Sequence, residues 1–215
     1  MELTRETLEI LDQLPTGNVA DNNNTAPHQG VMDSGIRPLD RKCHMVGRAV
    51  TARCFGGDNL ALHQAIYAAS PGDVLVLDCK GFTEAGHFGD IMALACKVRG
   101  IAGVVIDGSV RDAEDICAMG LPVFCRGLNP SGTVKASLGT LNVPVTCGGI
   151  TVRPGDLLIG DCDGVVVIPK EDEDQVFAGA RAKFEKEKHI VEELKAGKTT
   201  LEIYGLDKVI ERLKG

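Results

Sequence analysis

Arg111 and Asp112 are the residues with the clearest capacity for chemistry, because they stand where a buried strand is followed by a helix. Residues 101–106 have the near-continuous hydrophobicity of a strand buried on both faces, and a helix is predicted over about residues 112–119. The free N–H groups and positive dipole end of such a helix suit a carboxylate. The fork of Arg111 can hold a carboxylate or 2-oxo acid bidentately, and Asp112 offers oxygen ligands for magnesium or manganese. Taken alone, Asp112 could equally cap the helix, and Arg111 could pair at the surface.

A second turn of the same kind lies one element earlier, at residues 86–92, where Gly86 and Gly89 flank a turn into a helix. Glycines let backbone N–H groups approach an anion closely. Because this turn follows the preceding strand, we expect it to lie beside the Arg111 turn at one sheet edge and to form a pocket with it. His87 is a candidate acid or base there, although a loop histidine is more often simply solvated.

The elements that must position these turns form a parallel α/β unit followed by antiparallel hairpins. Strands are predicted over residues 46–54, 74–78, 101–106 and 121–125, with helices over 59–69, 89–99 and 112–119 and a loop over 81–89. The second helix carries Ile91, Leu94, Ala95 and Val98 on one face. Hairpin strands are predicted over 143–147, 149–152, 157–160 and 165–168.

The two ends of the chain complete the prediction. A helix is predicted over residues 3–14, ending at Pro15, and residues 16–42 are expected to be irregular. A charged helix over about 171–196 and a final helix near 206–214 form a C-terminal arm. We therefore predict one α/β domain spanning residues 1–215, with a mixed sheet, helices covering its faces and an arm over about residues 171–215.

The amino-acid composition argues against one class of function, nucleic-acid binding. The chain has 215 residues, is 44% hydrophobic and 25% charged, contains no Trp, and has a net charge of −7. That charge and the scarcity of aromatic residues argue against nucleic-acid binding, which needs a basic surface and stacking platforms. An anionic substrate is still compatible, because one arginine in a pocket can override the overall field.

The eight cysteines are predicted to be reduced and structural. No two are closer than eight residues, so the sequence has no CxxC pair. Reduced thiols, the lack of an apolar signal-peptide core at the N-terminus and the lack of a long apolar run predict a cytoplasmic protein that does not enter a membrane.

Asp90, twenty intervening residues and then Arg111-Asp112 resemble the signature of the class II pyruvate aldolases of the RraA-like family, which act on 4-hydroxy-4-methyl-2-oxoglutarate and 4-carboxy-4-hydroxy-2-oxoadipate. Residues 31–39, 104–112 and 160–167 also resemble family segments, so the likeness covers most of the chain. Residues 18–24 and 80–87 depart from the family pattern, and these departures bear on the substrate more than on the reaction.

The resemblance implies a role for each matching residue. Gly89, Asp90, Ile91 and Met92 would bind the substrate through backbone amides, and Arg111 would hold its pyruvate part. Asp112 would ligate a magnesium or manganese ion, largely through ordered waters, and Asp90 would orient one of them. A glutamate from a neighbouring subunit would also reach the site, with Glu187 as the best positional match and Glu185 as the second. These catalytic roles fall on Asp90, Arg111, Asp112 and Glu187.

The resemblance further implies a swivelling β/β/α-type fold that forms homotrimers or hexamers. The implied reaction is retro-aldol cleavage of 4-hydroxy-2-oxo diacids to pyruvate and a 2-oxo acid through a metal-stabilised enolate, with oxaloacetate decarboxylation as a side activity. The family also includes a regulator of RNase E, so a protein that binds and inhibits a ribonuclease without catalysis is the alternative.

Overall fold

The computed structural model describes residues 1–214 and is organised around an eight-stranded mixed sheet with a separate two-stranded sheet. The strands are β1 (Arg37–Pro38), β2 (Met45–Arg53), β3 (Asp73–Gly86), β4 (Gly103–Val110), β5 (Val123–Leu128), β6 (Thr140–Leu141), β7 (Val145–Cys147), β8 (Ile150–Val152), β9 (Leu157–Asp161) and β10 (Gly164–Ile168). The helices are α1 (Arg5–Leu11), α2 (Thr16–Ala20), α3 (Leu60–Ala68), α4 (Asp90–Val98), α5 (Ala113–Met119), α6 (Glu173–Lys195), α7 (Thr200–Tyr204) and α8 (Leu206–Lys214).

The strand order of the large sheet places the predicted turns together. Strands run β1-β5-β4-β3-β2-β9-β10, and β6 pairs with β2. The central strands β2, β3, β4 and β5 are mutually parallel, whereas β1, β9 and β10 pair antiparallel with their neighbours. Parallel strands direct their carboxyl ends to the same edge, so the segments that follow β2, β3 and β4 all emerge there.

The large sheet is buried on both faces, and the alternation of side chains assigns each residue to a layer. Leu75 and Leu77 of β3 belong to the core under α3, α4 and α5, whereas Val74 and Val76 face the core shared with the β7–β8 hairpin. This explains why the strands read as near-continuous apolar runs. The fold is therefore a mixed α/β domain of three layers: helices, large sheet and small hairpin.

A third core anchors the C-terminal arm. Val176 and Ala180 of α6 pack with residues of α1, α2, β9 and β10. Arg48 of β2 donates two hydrogen bonds, of 2.5 and 3.0 Å, to the fully buried carboxylate of Glu173 at the start of α6. Beyond α6, helices α7 and α8 bury no side chain against the rest of residues 1–214.

Several element boundaries differ from the prediction. The predicted loop at residues 81–89 is mostly strand, because β3 continues to Gly86 along β4 through two register shifts. Likewise β4 extends to Val110, so residues 107–110 are strand rather than turn. The predicted irregular stretch 16–42 contains α2 and β1, and the arm contains the additional short helix α7.

The apolar face of α4 is left open. Ile91, Leu94 and Val98 are 72%, 51% and 80% exposed, while the helix buries Met92, Ala93 and Cys96 against the sheet. Of the four residues predicted to share one face, Ile91, Leu94 and Val98 are therefore exposed, whereas Ala95 packs partly against the core of the chain.

The cysteines are not paired with one another in disulfides in the described part of the chain. All eight cysteines lie within residues 1–214 and are free thiols, five of them buried. Burial raises the pKa of the Cys96 thiol to about 12, as expected for an inert apolar position. Among the described residues, no helix combines the length and hydrophobicity that crossing a lipid bilayer requires.

Candidate active site

The turns after β3 and β4 meet at the carboxyl edge of the sheet. The backbone N–H of Arg111 donates to the carbonyl of Phe88 at 2.9 Å, and that of His87 donates to the carbonyl of Ser109 at 2.9 Å. Beyond this pairing, a carboxylate oxygen of Asp112 lies 3.4 Å from the amide nitrogen of Asp90 and 3.3 Å from Nε of Arg111. The three residues predicted from the sequence to lie together are therefore neighbours.

Asp112 has a backbone conformation that few residues adopt. Its φ of 57° and ψ of 40° place it in the left-handed region, which aspartate tolerates better than most non-glycine residues. Its side chain does not cap α5, the helix that it precedes; it turns instead towards the first amide of α4. The carboxylate thus remains 34% exposed at the cavity edge, and strain of this kind is common at functional sites.

A cavity of about 270 Å³ opens beside this pair. Its lining includes the predicted residues Gly89, Asp90, Ile91, Met92 and Arg111. Asp112 lies at the rim rather than in the lining. The carboxylate of Asp90 makes no hydrogen bond or ion pair to any side chain within residues 1–214, so it is available to a ligand or to water.

Gly89 makes the close approach of these side chains feasible. A Cβ atom at this position would lie 2.5 Å from a carboxylate oxygen of Asp112 and 3.2 Å from Nε of Arg111. The backbone of Gly89 is extended, with φ −139° and ψ −172°, so conformation alone does not require glycine here. Space is the constraint.

The other wall of the cavity comes from segments that the sequence did not single out. They contribute Asn59, His63, Thr133 and Lys135. Asn59 donates from Nδ2 to the carbonyl of His87 at 3.0 Å, and its Oδ1 is buried without a hydrogen-bond partner among the described residues. Asn59 therefore joins the turn before α4 to the start of α3 and helps to fix this wall.

His87 is buried, which corrects the expectation of a solvated loop histidine. Its Nε2 accepts a hydrogen bond from the backbone N–H of Gly57 at 3.0 Å, and its ring meets Phe82 edge-to-face. Since Nε2 accepts, the neutral ring carries its proton on Nδ1, which has no partner within residues 1–214. Burial lowers the pKa of His87, so the ring is a neutral part of the cavity wall.

The two predicted glutamates lie away from this cavity in the single chain. Glu187 accepts a hydrogen bond from Nδ2 of Asn18 at 2.8 Å and lies 3.6 Å from the ammonium of Lys183. Glu185 is paired with Lys188 at 2.8 Å and is exposed. Neither residue joins Asp90, Arg111 and Asp112 within one chain.

A separate acidic group occurs at the β9–β10 turn, where Asp161, Cys162 and Asp163 offer three potential metal ligands. The carboxylate of Asp161 already accepts hydrogen bonds from the N–H and hydroxyl of Thr16 and from the N–H of Asp163. These bonds account for the cluster as a structural turn.

Comparison with known proteins finds relatives of most of the chain. A family profile described as RraA-like, Aldolase/RraA, matches residues 10–167. A protein of Halalkalibacterium halodurans named "Putative 4-hydroxy-4-methyl-2-oxoglutarate aldolase" is 45% identical over 152 residues, which cover 71% of this chain and 72% of that protein.

Two solved structures share the fold over nearly the whole chain. An uncharacterized protein from Pseudomonas syringae superposes with a TM-score of 0.79 at 28% identity, covering 93% of this chain and 96% of that one. A Streptomyces coelicolor protein, described as an unusual member of the RNase ES inhibitor RraA family, superposes with a TM-score of 0.77 at 27% identity, covering 92% and 99%.

Proposed function

Since the chain belongs to the RraA-like family, we propose that it is a divalent-metal-dependent lyase that cleaves carbon–carbon bonds next to a 2-oxo acid. Its substrates are 4-hydroxy-2-oxo diacids, and its products are pyruvate and a second 2-oxo acid. The observation that carries the proposal is the meeting of Asp90, Arg111 and Asp112 at one cavity.

The donor set fits a magnesium or manganese ion. Asp112 presents a partly exposed carboxylate at the rim, and Asp90 supplies a second carboxylate without a protein partner. Magnesium is commonly held by one or two carboxylates, with substrate oxygens and waters completing the octahedron. When bound, such an ion acts as a Lewis acid that stabilises negative charge on the substrate's 2-oxo group.

Residues of the chain itself bind the substrate, stabilise the enolate and orient water. The guanidinium of Arg111 holds the 2-oxo acid end and places positive charge where the enolate oxygen develops. The backbone amides of Ile91 and Met92, at the start of α4, orient the carboxylate of the substrate. Asp90 orients water near the C4 hydroxyl, whose proton must leave as the bond breaks.

The bond changes balance without a further reactant. The C3–C4 bond breaks, its electron pair passes into the enolate of pyruvate, and C4 becomes the carbonyl carbon of the released 2-oxo acid. Protonation of the enolate at C3 then gives pyruvate. Oxaloacetate yields the same enolate when its C3–C4 bond breaks with loss of carbon dioxide, so we include oxaloacetate decarboxylation as a side activity.

We also propose that the protein acts as a homotrimer or hexamer. The exposed apolar face of α4 begins directly beside Asp90, and an uncovered stripe of this kind commonly marks an interface. In such an assembly, a neighbouring subunit would bring Glu187, or Glu185, to the site. The free thiols are consistent with action in the cytoplasm.

The direct test is pyruvate release by the purified full chain, measured with a panel of 4-hydroxy-2-oxo diacids and with oxaloacetate. We expect activity with magnesium or manganese, loss of activity after EDTA treatment, and recovery when the cation is restored. Absence of cleavage for every substrate with both cations would refute the lyase.

Gly89→Ala gives a specific prediction at this site. The new methyl group would displace the side chains of Asp112 and Arg111, whose flexible ends can move without unfolding the chain. A misplacement of about 1 Å can reduce rates about 100-fold, so we expect a loss of that order in kcat/KM for pyruvate release.

Gly17→Ala is the matched control, because a Cβ at Gly17 meets nothing within 4 Å. Both variants should keep a melting temperature close to that of the parent protein. Full activity in the Gly89 variant would mean that Asp112 and Arg111 do not need their observed proximity.

The similarity to a ribonuclease inhibitor family favours a second candidate function, the binding and inhibition of a ribonuclease. Inhibition of RNA cleavage by the purified protein, together with no pyruvate release, would support this alternative. Inhibition that survives Asp112→Asn would separate a binding role from catalysis if both activities occur.

A further inference from the structure

Two cysteines lie side by side where β2 ends against β3. Arg53 and Asp78 are partners in this parallel pair of strands, so Cys54 and Cys79, the next residue along each chain segment, are neighbours in the same core. Their sulfur atoms are 3.0 Å apart. No other two thiols in residues 1–214 lie within hydrogen-bonding distance of each other. A disulfide has an S–S length of about 2.05 Å, so an approach of about 1 Å joins the two sulfurs.

Cys54 is the thiol of this pair that a small molecule can reach. It lines a cavity of about 360 Å³ whose wall also carries Phe55 and Lys80, and which shares no lining residue with the active-site cavity. Cys79 is fully buried beneath the helices. The hydrogen bond with Cys54, and then burial, raise the pKa of the Cys79 thiol, so Cys79 keeps its proton. Cys54 is therefore the sulfur that reacts first.

Both cysteines lie a few residues before contacts that position His87. After Cys54, the backbone N–H of Gly57 donates to Nε2 of His87 at 3.0 Å. After Cys79, Phe82 meets the His87 ring edge-to-face, with ring centroids 5.8 Å apart. Since His87 lines the active-site cavity, a movement at the cysteine pair reaches that cavity wall through two short segments.

We propose that Cys54 and Cys79 form a reversible disulfide when the protein meets a peroxide, and that this bond shifts the His87 wall of the active-site cavity. The Cys54 sulfur attacks one oxygen of the peroxide and becomes a sulfenic acid, while the O–O bond breaks and the other oxygen leaves with the Cys54 proton as water or an alcohol. The Cys79 sulfur then attacks the Cys54 sulfur, the S–O bond breaks, and the hydroxyl group leaves with the Cys79 proton as water. The two thiols lose two electrons, and the peroxide gains them.

A cellular dithiol reverses the bond by thiol–disulfide exchange, so that the dithiol is oxidised as the two cysteines are reduced. In a reducing compartment such a bond is transient and reports the presence of an oxidant.

The experiment treats the folded full chain with an equimolar amount of hydrogen peroxide, blocks the remaining thiols with iodoacetamide and digests with trypsin. Trypsin cleaves after Arg53 and Lys80, and the peptide 54–80 contains no other cysteine and no internal lysine or arginine. We expect this peptide to carry no iodoacetamide label and to be lighter than its reduced, unlabelled form by two hydrogen atoms. Dithiothreitol before labelling should abolish the change. Chymotrypsin cuts at Tyr67, between the two cysteines, and the resulting fragments should stay linked.

Two variants test the order of the steps. In Cys79→Ala the sulfenic acid at Cys54 has no partner, so dimedone should trap it on the peptide 54–80. Cys96→Ala is the matched control, because it removes a fully buried thiol with no thiol neighbour in residues 1–214, and it should form the parental bond. A parent peptide 54–80 that keeps both thiols while the exposed Cys162 is oxidised would overturn the disulfide.

Two further measurements test the link to the active-site cavity. Oxidation should shift the NMR signals of the His87 ring and leave those of the exposed His189 in place. It should also lower kcat/KM for pyruvate release about 10- to 100-fold, reversibly with dithiothreitol, because a misplacement of about 1 Å can cost about 100-fold in rate. A disulfide that forms with no change in the His87 signals would refute the link.

Only the measurement of pyruvate release rests on the proposed lyase function. The disulfide and the His87 signals are read without turnover. If both appear as expected but the reduced parent protein releases no pyruvate, the lyase is refuted and the redox site stands. If the reduced parent releases pyruvate and the peptide 54–80 keeps both thiols, only the redox site is refuted.

Discussion

Replacing Arg111 with methionine is expected to lower kcat/KM for pyruvate release about 1,000-fold, and replacing it with lysine about 100-fold. Removing one preorganised donor from a developing oxyanion costs about 10²- to 10³-fold in rate. Lysine retains the charge but loses the planar fork, so it should recover only part of the loss. The side chain is 45% exposed at the cavity, and the turn itself is held by the backbone bond from Arg111 to Phe88.

Unfolding temperatures distinguish a loss of catalysis in the Arg111 variants from a loss of folded protein. Since the backbone bond survives either substitution, both variants should unfold at nearly the parental temperature. Arg181→Lys is a suitable control, because Arg181 is an exposed residue of α6. If Arg111→Met retained kcat/KM within tenfold of the parent, the 2-oxo acid would have to be held elsewhere.

The sequence was sufficient to predict that the Asp90 and Arg111 turns are neighbours. Two apolar strands separated by one helix predict a parallel pair, and the ends of a parallel pair share an edge. The structure places the two turns at one edge, with Gly86 opposite Ser109 at the outer ends of β3 and β4. The αL conformation of Asp112 could not be predicted, since aspartate only tolerates it and the neighbouring contacts impose it.

Parallel strands end at the same sheet edge, and β2 is parallel to β3. Applying this rule to β2 identifies part of the cavity wall that the sequence analysis did not include. β2 also ends at this edge, and its turn through Gly57 and Asp58 leads directly into α3, which carries His63. No pattern in the sequence indicates that Lys135 lies at this cavity. It lies in an irregular segment whose position depends on hydrogen bonds to the carboxylate of Asp58, a long-range contact that local pattern does not encode.

The sequence predicts which residues share the apolar face of α4, but it does not indicate what covers that face. Amphipathic periodicity predicts which residues share a face, but not whether that face is covered by the same chain or by another one. Ile91, Leu94 and Val98 share a face and remain exposed, so the interpretation needed information about assembly. The length of β3 was underestimated similarly, because its outer half pairs with β4 only after register shifts near Phe82 and Gly86.

Replacing Asp112 with asparagine is expected to abolish most of the dependence on divalent cations and to lower kcat for pyruvate release about 1,000-fold. The lost Lewis-acid stabilisation amounts to several kcal/mol, and each 1.4 kcal/mol corresponds to about tenfold in rate. Asparagine is the informative choice, because it tolerates the left-handed backbone at φ 57° and has nearly the shape of aspartate. Alanine would add backbone strain of about 1–2 kcal/mol, so a loss of activity could come from lower stability instead of from the lost carboxylate.

Cation binding can be measured without turnover, by titrating Mn²⁺ into the protein and following the free ion by electron paramagnetic resonance. The parent protein should bind more tightly in the presence of pyruvate, and Asp112→Asn should bind at least tenfold more weakly. Asp115→Asn, an exposed change in the first turn of α5, controls for the loss of one negative charge nearby.

Because Arg111 and Asp112 are adjacent but are assigned different tasks, Arg111→Met should still bind Mn²⁺ while losing turnover. A parental Mn²⁺ affinity in Asp112→Asn would contradict that division of tasks and would move the cation to another group in the cavity.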